Sequence, residues 1–107
     1  MADEIVILIT AASDDEAVKI ARALVDERLA ACANILPGVR SLFFWEGRTQ
    51  DEREVLMVVK TRHALLDSIV QRVKALHSYT VPEIIALPVL GGSQDYLKWV
   101  KETVKER

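Results

Sequence analysis

The stretch "AACANILPGVRSLFFWEG", residues 30–47, decides the fold. It is mostly apolar, is interrupted once at Pro37-Gly38, and ends in the aromatic triplet Phe43, Phe44 and Trp45. It reads as one strand with a break or bulge at the Pro-Gly pair, since proline gives no N–H to a ladder and an internal glycine marks a bulge. "EGRTQDERE" (46–54) then reads as a polar, glycine-containing loop, and "EVLMVVKT" (54–61) as a second strand. Together they predict a long hairpin.

On its N-terminal side, "EIVILIT" (4–10) is a short continuous apolar run, the pattern of a central strand buried on both faces. In "SDDE", Ser13 is placed to cap a helix, with Glu16 completing a capping box. Ala17, Ala21, Leu24 and Val25 recur at helical spacing behind it. After the hairpin, "RHALLDSIVQRVKALH" (62–77) puts Leu65, Leu66, Ile69, Val70, Val73 and Leu76 on one helical face. "EIIALPV" (83–89) is a fourth strand, and "GGSQDYLKWVKETVKE" (91–106) is a closing helix after a double-glycine turn. The order is βαββαβ plus a C-terminal helix. This is α+β, a ferredoxin-like antiparallel sheet with helices on one face, in a single domain over 1–107. The hairpin is too long for partner strands of about six or seven residues. Its aromatic end would be a costly exposed patch, and such patches mark interfaces.

The 107 residues are half hydrophobic and 28% charged, a soluble globular balance. No run approaches the roughly 18 apolar residues of a membrane span, so no membrane partner is expected. Acids precede the first apolar segment and only one cysteine is present; both favour a cytoplasmic setting. The formal charge is −2, which gives nucleic acid no electrostatic footprint. Charge is uneven: residues 1–54 hold 11 acids and 6 bases, residues 55–107 hold 5 acids and 8 bases. Much of that excess, Lys98, Lys101, Lys105 and Arg107, falls toward the end of the last helix, where it suits the helix dipole.

"ALVDERLAACANILPGVRSLFFWEG", "VVKTR", "LHSYTVPEIIALPV" and "YLKWV" together resemble the CutA divalent-cation tolerance family, in order and over nearly the whole chain. The resemblance implies a ferredoxin-like fold and a tight homotrimer with the hairpins exchanged, so Phe43, Phe44 and Trp45 become interface residues. It also implies a link to tolerance of copper and other divalent cations, and a likeness in architecture to the P-II signalling trimers. Two departures bear on metal binding. Ile9 stands where some members carry a cysteine, and Leu76 where some carry the first of two histidines; the usual proline after His77 is Ser78.

The candidate site gathers at "ALHSYTVPEIIALPV" (75–89). His77 has two readings: a helix-end histidine bonded to the terminal carbonyls, or a neutral imidazole ligand for copper with partners from another chain. Cys32 is a soft metal ligand if exposed, or a buried sheet residue. Val81-Pro82 forces an extended entry to the strand, which places Tyr79 and Glu83 at a junction. Lys60 is either a plain strand terminus or a cation paired with Glu83. On the resemblance, Cys32, Lys60, His77, Tyr79 and Glu83 line one cleft. No phosphate loop, nucleophile elbow or metalloprotease helix occurs. The expectation is a non-enzymatic trimer that binds copper or another divalent cation weakly, with no organic cofactor. The alternatives are a P-II-like regulatory trimer with a small ligand in its cleft, or a stable trimeric scaffold.

Overall fold

The computed structural model describes residues 3–106. Its elements are β1 (Glu4–Ala11), α1 (Asp14–Asp26), β2 (Cys32–Trp45), β3 (Arg48–Arg62), a short 3-10 turn (His63–Leu65), α2 (Leu66–Leu76), β4 (Ile84–Pro88) and α3 (Gln94–Thr103). The strands form one antiparallel sheet in the order β2-β3-β1-β4, so β1 is central as expected. Ile5, Ile7, Ile9 and Ala11 alternate along β1 toward one side and are buried. Val55, Met57 and Val59 from β3 join them, and Ile20, Leu24, Leu65, Ile69 and Val73 from the helical side complete the core. The other face carries Val6, Leu8, Leu56, Val58, Ile85 and Leu87, each of them at least partly exposed. Within one chain β1 is therefore buried on one face and not on both as its apolar run predicts: the helices cover a single side.

The Ser13 hydroxyl accepts the Glu16 N–H at 3.2 Å and caps α1. The return arm differs from a standard capping box: Glu16 Oε1 accepts from Ala12 N–H at 3.0 Å, one residue before the cap. Helix α1 closes in a Schellman arrangement, with Leu29 N–H on the Leu24 carbonyl and Arg28 N–H on the Val25 carbonyl. The left-handed position there, usually glycine, is Arg28 at φ 58°. Thr61, a buried polar side chain on the core face of β3, donates to the Leu29 carbonyl at 2.6 Å.

The hairpin differs from expectation in where its turn lies. "EGRTQDERE" is not a loop: β3 begins at Arg48, and only Glu46 and Gly47 stand between the strands. Both have positive φ, 51° and 80°, the two-residue turn whose twist matches a hairpin. Polar residues are tolerated because this part of the ribbon has no core on either side. There the Arg40 guanidinium forks onto Asp51 at 2.9 and 2.6 Å. The break at Pro37-Gly38 is a bulge between the pairs Leu36↔Leu56 and Val39↔Glu54, with Gly38 at φ 78°.

Strand β1 stops at Ala11↔Val55, whereas β2 and β3 go on pairing from Val39↔Glu54 to Trp45↔Arg48. A two-stranded arm therefore projects on the order of 20 Å beyond the sheet, at about 3.4 Å per residue. The chain measures 44 × 25 × 22 Å as a result. Alternation puts Leu42 and Phe44 on one face of the arm, Phe43 and Trp45 on the other. They are 65%, 74%, 39% and 48% exposed respectively.

The basic tail is split. Lys98 and Lys101 are on α3, Lys105 follows its end at Thr103, and Arg107 lies outside the described residues.

Candidate functional site

Helix α2 stops at Leu76 because the chain turns extended at His77, whose N–H still reaches the Val73 carbonyl. This turn drives the imidazole inward, and its side chain has no exposed surface. Nε2 lies 2.7 Å from the Thr10 carbonyl, and Nδ1 accepts the Tyr79 N–H at 3.0 Å. A carbonyl only accepts and an amide only donates, which assigns the neutral Nε2–H tautomer. The Tyr79 ring leans on the imidazole at 4.7 Å.

Two carboxylates close this group. Glu16 Oε2 accepts the Ser78 N–H at 2.8 Å, and Oε1 lies 4.0 Å from His77 Nδ1. Burial pushes the Glu16 carboxyl up, but hydrogen bonds from the Ala12 N–H and from Ser78 outweigh it and hold the carboxyl below its usual 4.5. The Tyr79 hydroxyl donates to Glu54 Oε2 at 2.7 Å. Burial first, then the Glu54 carboxylate, raise the phenol well above its ordinary range, so Tyr79 stays a neutral donor. Glu54 is the first residue of β3 beyond the end of β1.

A second group lies on the open face. Cys32 is paired with Lys60 across β2 and β3. The Lys60 ammonium bonds the Asn34 side-chain carbonyl, and lies 3.5 Å from the Val58 carbonyl. Cys32 Sγ is 4.0 Å from the same Asn34 oxygen and is half-buried, between the two states the sequence left open. The Tyr96 hydroxyl of α3 sits beside Cys32, and burial and that thiol both raise its pKa.

The five residues expected to line one cleft are thus divided within the chain. His77 binds at Thr10, which pairs with Leu56, while Lys60 pairs with Val6. Four residues of strand, about 13 Å, separate the two groups. Glu83 precedes β4, whose Ile84 pairs with Ile9, and its side chain is exposed. Among the described residues neither Lys60 nor Glu83 forms an ion pair, so the expected Lys60–Glu83 bridge is absent there. Asn34, Glu54 and the second role of Glu16 escaped sequence reasoning. A period-two count along β2 puts Asn34 on the face of Cys32. Nothing local marks Glu54 as the partner of a tyrosine 25 residues away.

A divalent cation does not fit these residues within one chain. Both ring nitrogens of His77 are engaged, and Cys32 has an ammonium and an amide for neighbours rather than a second ligand. Among the described residues no three of His, Cys, Asp or Glu are placed to hold an ion.

A split βαββαβ sheet with a third helix and a protruding ribbon defines a ferredoxin-like protein, and solved structures of that shape share its sequence. The divalent cation tolerance protein of Thermus thermophilus superposes with a TM-score of 0.93 at 49% identity, over 95% of this chain and 99% of that one. CutA1 from Oryza sativa gives 0.96 at 42% identity, over 99% and 97%. The sequence profile of the CutA1 divalent ion tolerance proteins matches residues 5–103, and the chain belongs to that family. In sequence it is 50% identical over 99 residues to the Thermus thermophilus divalent-cation tolerance protein CutA, 92% of this chain and 96% of that one. It is 44% identical over 102 residues to the chloroplastic protein CutA 1 of Oryza sativa, 95% of this chain and 58% of that protein's length.

Proposed function

We propose that the chain works as a homotrimer in divalent-cation tolerance, without catalysis of its own, and that copper or another divalent ion is bound weakly and between chains. The observation that carries this reading is the arm. A ribbon with large apolar side chains on both faces needs cover on both sides, and one chain supplies neither. Val6, Leu8, Leu56 and Val58 leave the open sheet face apolar too, and such a surface fits burial against copies of itself. Membership of a divalent ion tolerance family supports the cation. The poor fit of an ion within one chain supports placing it between chains. A single free cysteine supports the cytoplasm as its setting.

One observation favours the P-II-like reading as second. Lys60 is a cation on the open face, held only by neutral oxygens, and suits a small anionic ligand at a junction between chains.

Light scattering at micromolar concentration, with calorimetric copper titration, tests the proposal. A trimer mass with weak copper heat that disappears in a dissociated Trp45→Glu variant is expected. A monomer mass for the parent chain would sink the assembly. Copper binding retained by the monomeric variant would put the ion inside one chain and overturn the second half.

A further inference from the structure

Arg28, Arg62, Lys98, Lys101 and Lys105 line one cavity of about 650 Å³. It lies at the end of the sheet away from the arm: Arg62 pairs with Glu4, where β1 begins, and the arm starts where β1 stops. That volume accepts a ligand of nucleotide size. The cavity is anchored on both sides. Arg28 Nε donates to the Thr103 carbonyl at 2.8 Å, and the Arg28 carbonyl accepts the Lys105 N–H at 2.9 Å. Arg62 Nε donates to Asp3 Oδ2 at 3.0 Å. Among the described residues no hydrogen bond engages the Nη groups of either arginine, and no carboxylate lies within ion-pair reach of the three lysines.

The ordinary account of such cations is that they answer helix C-termini, and α1 and α3 both end here. Two dipole ends amount to about one negative charge, Glu102 and Glu106 add two more at the rim, and Asp3 on Arg62 adds a third carboxylate. Five cations exceed that sum, in a chain whose formal charge is −2. A second observation is independent of charge: Arg28 holds a left-handed backbone position that favours glycine, and its side chain is the one turned onto α3.

We propose that this cavity binds a small polyphosphate anion. Two guanidinium forks, whose Nη groups carry no hydrogen bond among the described residues, match paired phosphate oxygens, and the lysines Lys98 and Lys101, three apart on one helix face, add point charges. Most of the lining is exposed, so binding is electrostatic and falls with salt.

Calorimetric titration of the full chain with inorganic tripolyphosphate, at low salt and with a chelator to remove metals, tests this. Saturable binding of one anion per chain is expected. Lys98→Gln with Lys101→Gln should weaken it by about tenfold or more, while Lys74→Gln on α2 leaves it unchanged, with thermal midpoints confirming that each variant folds. Absence of saturable binding would overturn the site. Equal weakening by Lys74→Gln would reduce it to general surface charge. Citrate binding as tightly as tripolyphosphate would overturn the assignment to phosphate.

Discussion

His77 and Glu16 show how one side chain serves two elements at once. The imidazole ties the end of α2 to the end of β1, and Glu16 ties the start of α1 to the loop after α2 through Ala12 and Ser78 N–H. A histidine with both nitrogens engaged in a solvent-free site is a structural residue in the isolated chain, whatever its value as a ligand type. Glu16 has a consequence for pH. Its carboxyl is held below 4.5 in the folded chain, so the unfolded chain takes up the proton first as pH falls. The stabilisation is therefore complete above about 4.5 and is lost as pH drops through the folded value. Urea melts of Glu16→Gln against the parent should show the variant less stable at neutral pH, with the gap closing below pH 4.5. A gap constant down to pH 3 would mean that the charge of Glu16 is not what the N–H groups hold.

At the scale of elements, Gly38, Gly47 and Arg28 all hold positive φ where strands bend or a helix ends, and they are not equivalent. Gly38 and Gly47 carry no side chain, and a Cβ at either would meet open space, so only the backbone conformation calls for glycine. At Arg28 the chain accepts a Cβ in the left-handed region, which costs roughly 1 kcal/mol. Both Arg28→Gly and Arg28→Ala lose the bond to Thr103, but only glycine relieves the backbone. Arg28→Gly should thus be more stable than Arg28→Ala by about 1 kcal/mol in denaturant titration. Equal midpoints would show that the turn relaxes around the alanine.

At the scale of the molecule, the arm is the part that a single chain does not stabilise. Ladder bonds and the Arg40–Asp51 fork hold its shape, while Leu42, Phe43, Phe44 and Trp45 remain in water. If copies cover it, the thermal midpoint should rise with protein concentration, as for any folded state stabilised by association. Leu42→Ser with Phe44→Ser strips one face of the arm only. Such anchors are worth about 2 kcal/mol or more when central, so the double variant should dissociate by sedimentation at concentrations where the parent is assembled. An unchanged sedimentation coefficient would mean that this face of the arm stays in solvent.

Legible in the sequence alone were the order of elements, the central place of β1, the bulge at Pro37-Gly38, the cap at Ser13 and the aromatic end of the hairpin. Each is a local property: apolar period, missing N–H or side-chain reach settles it within a few residues. The polar run 46–54 misled for the same reason, since composition reports exposure to water and not backbone pairing. Here Arg48 through Arg53 pair with β2 although no core covers them. The site was set by the packing of distant segments. That packing sent His77 inward to Thr10, joined Tyr79 to Glu54, set Lys60 against Asn34, and left Glu83 apart from all of them. These contacts bridge 25 to 67 residues of chain, and the register of the antiparallel sheet, which no local pattern encodes, is what brings them together or holds them about 13 Å apart.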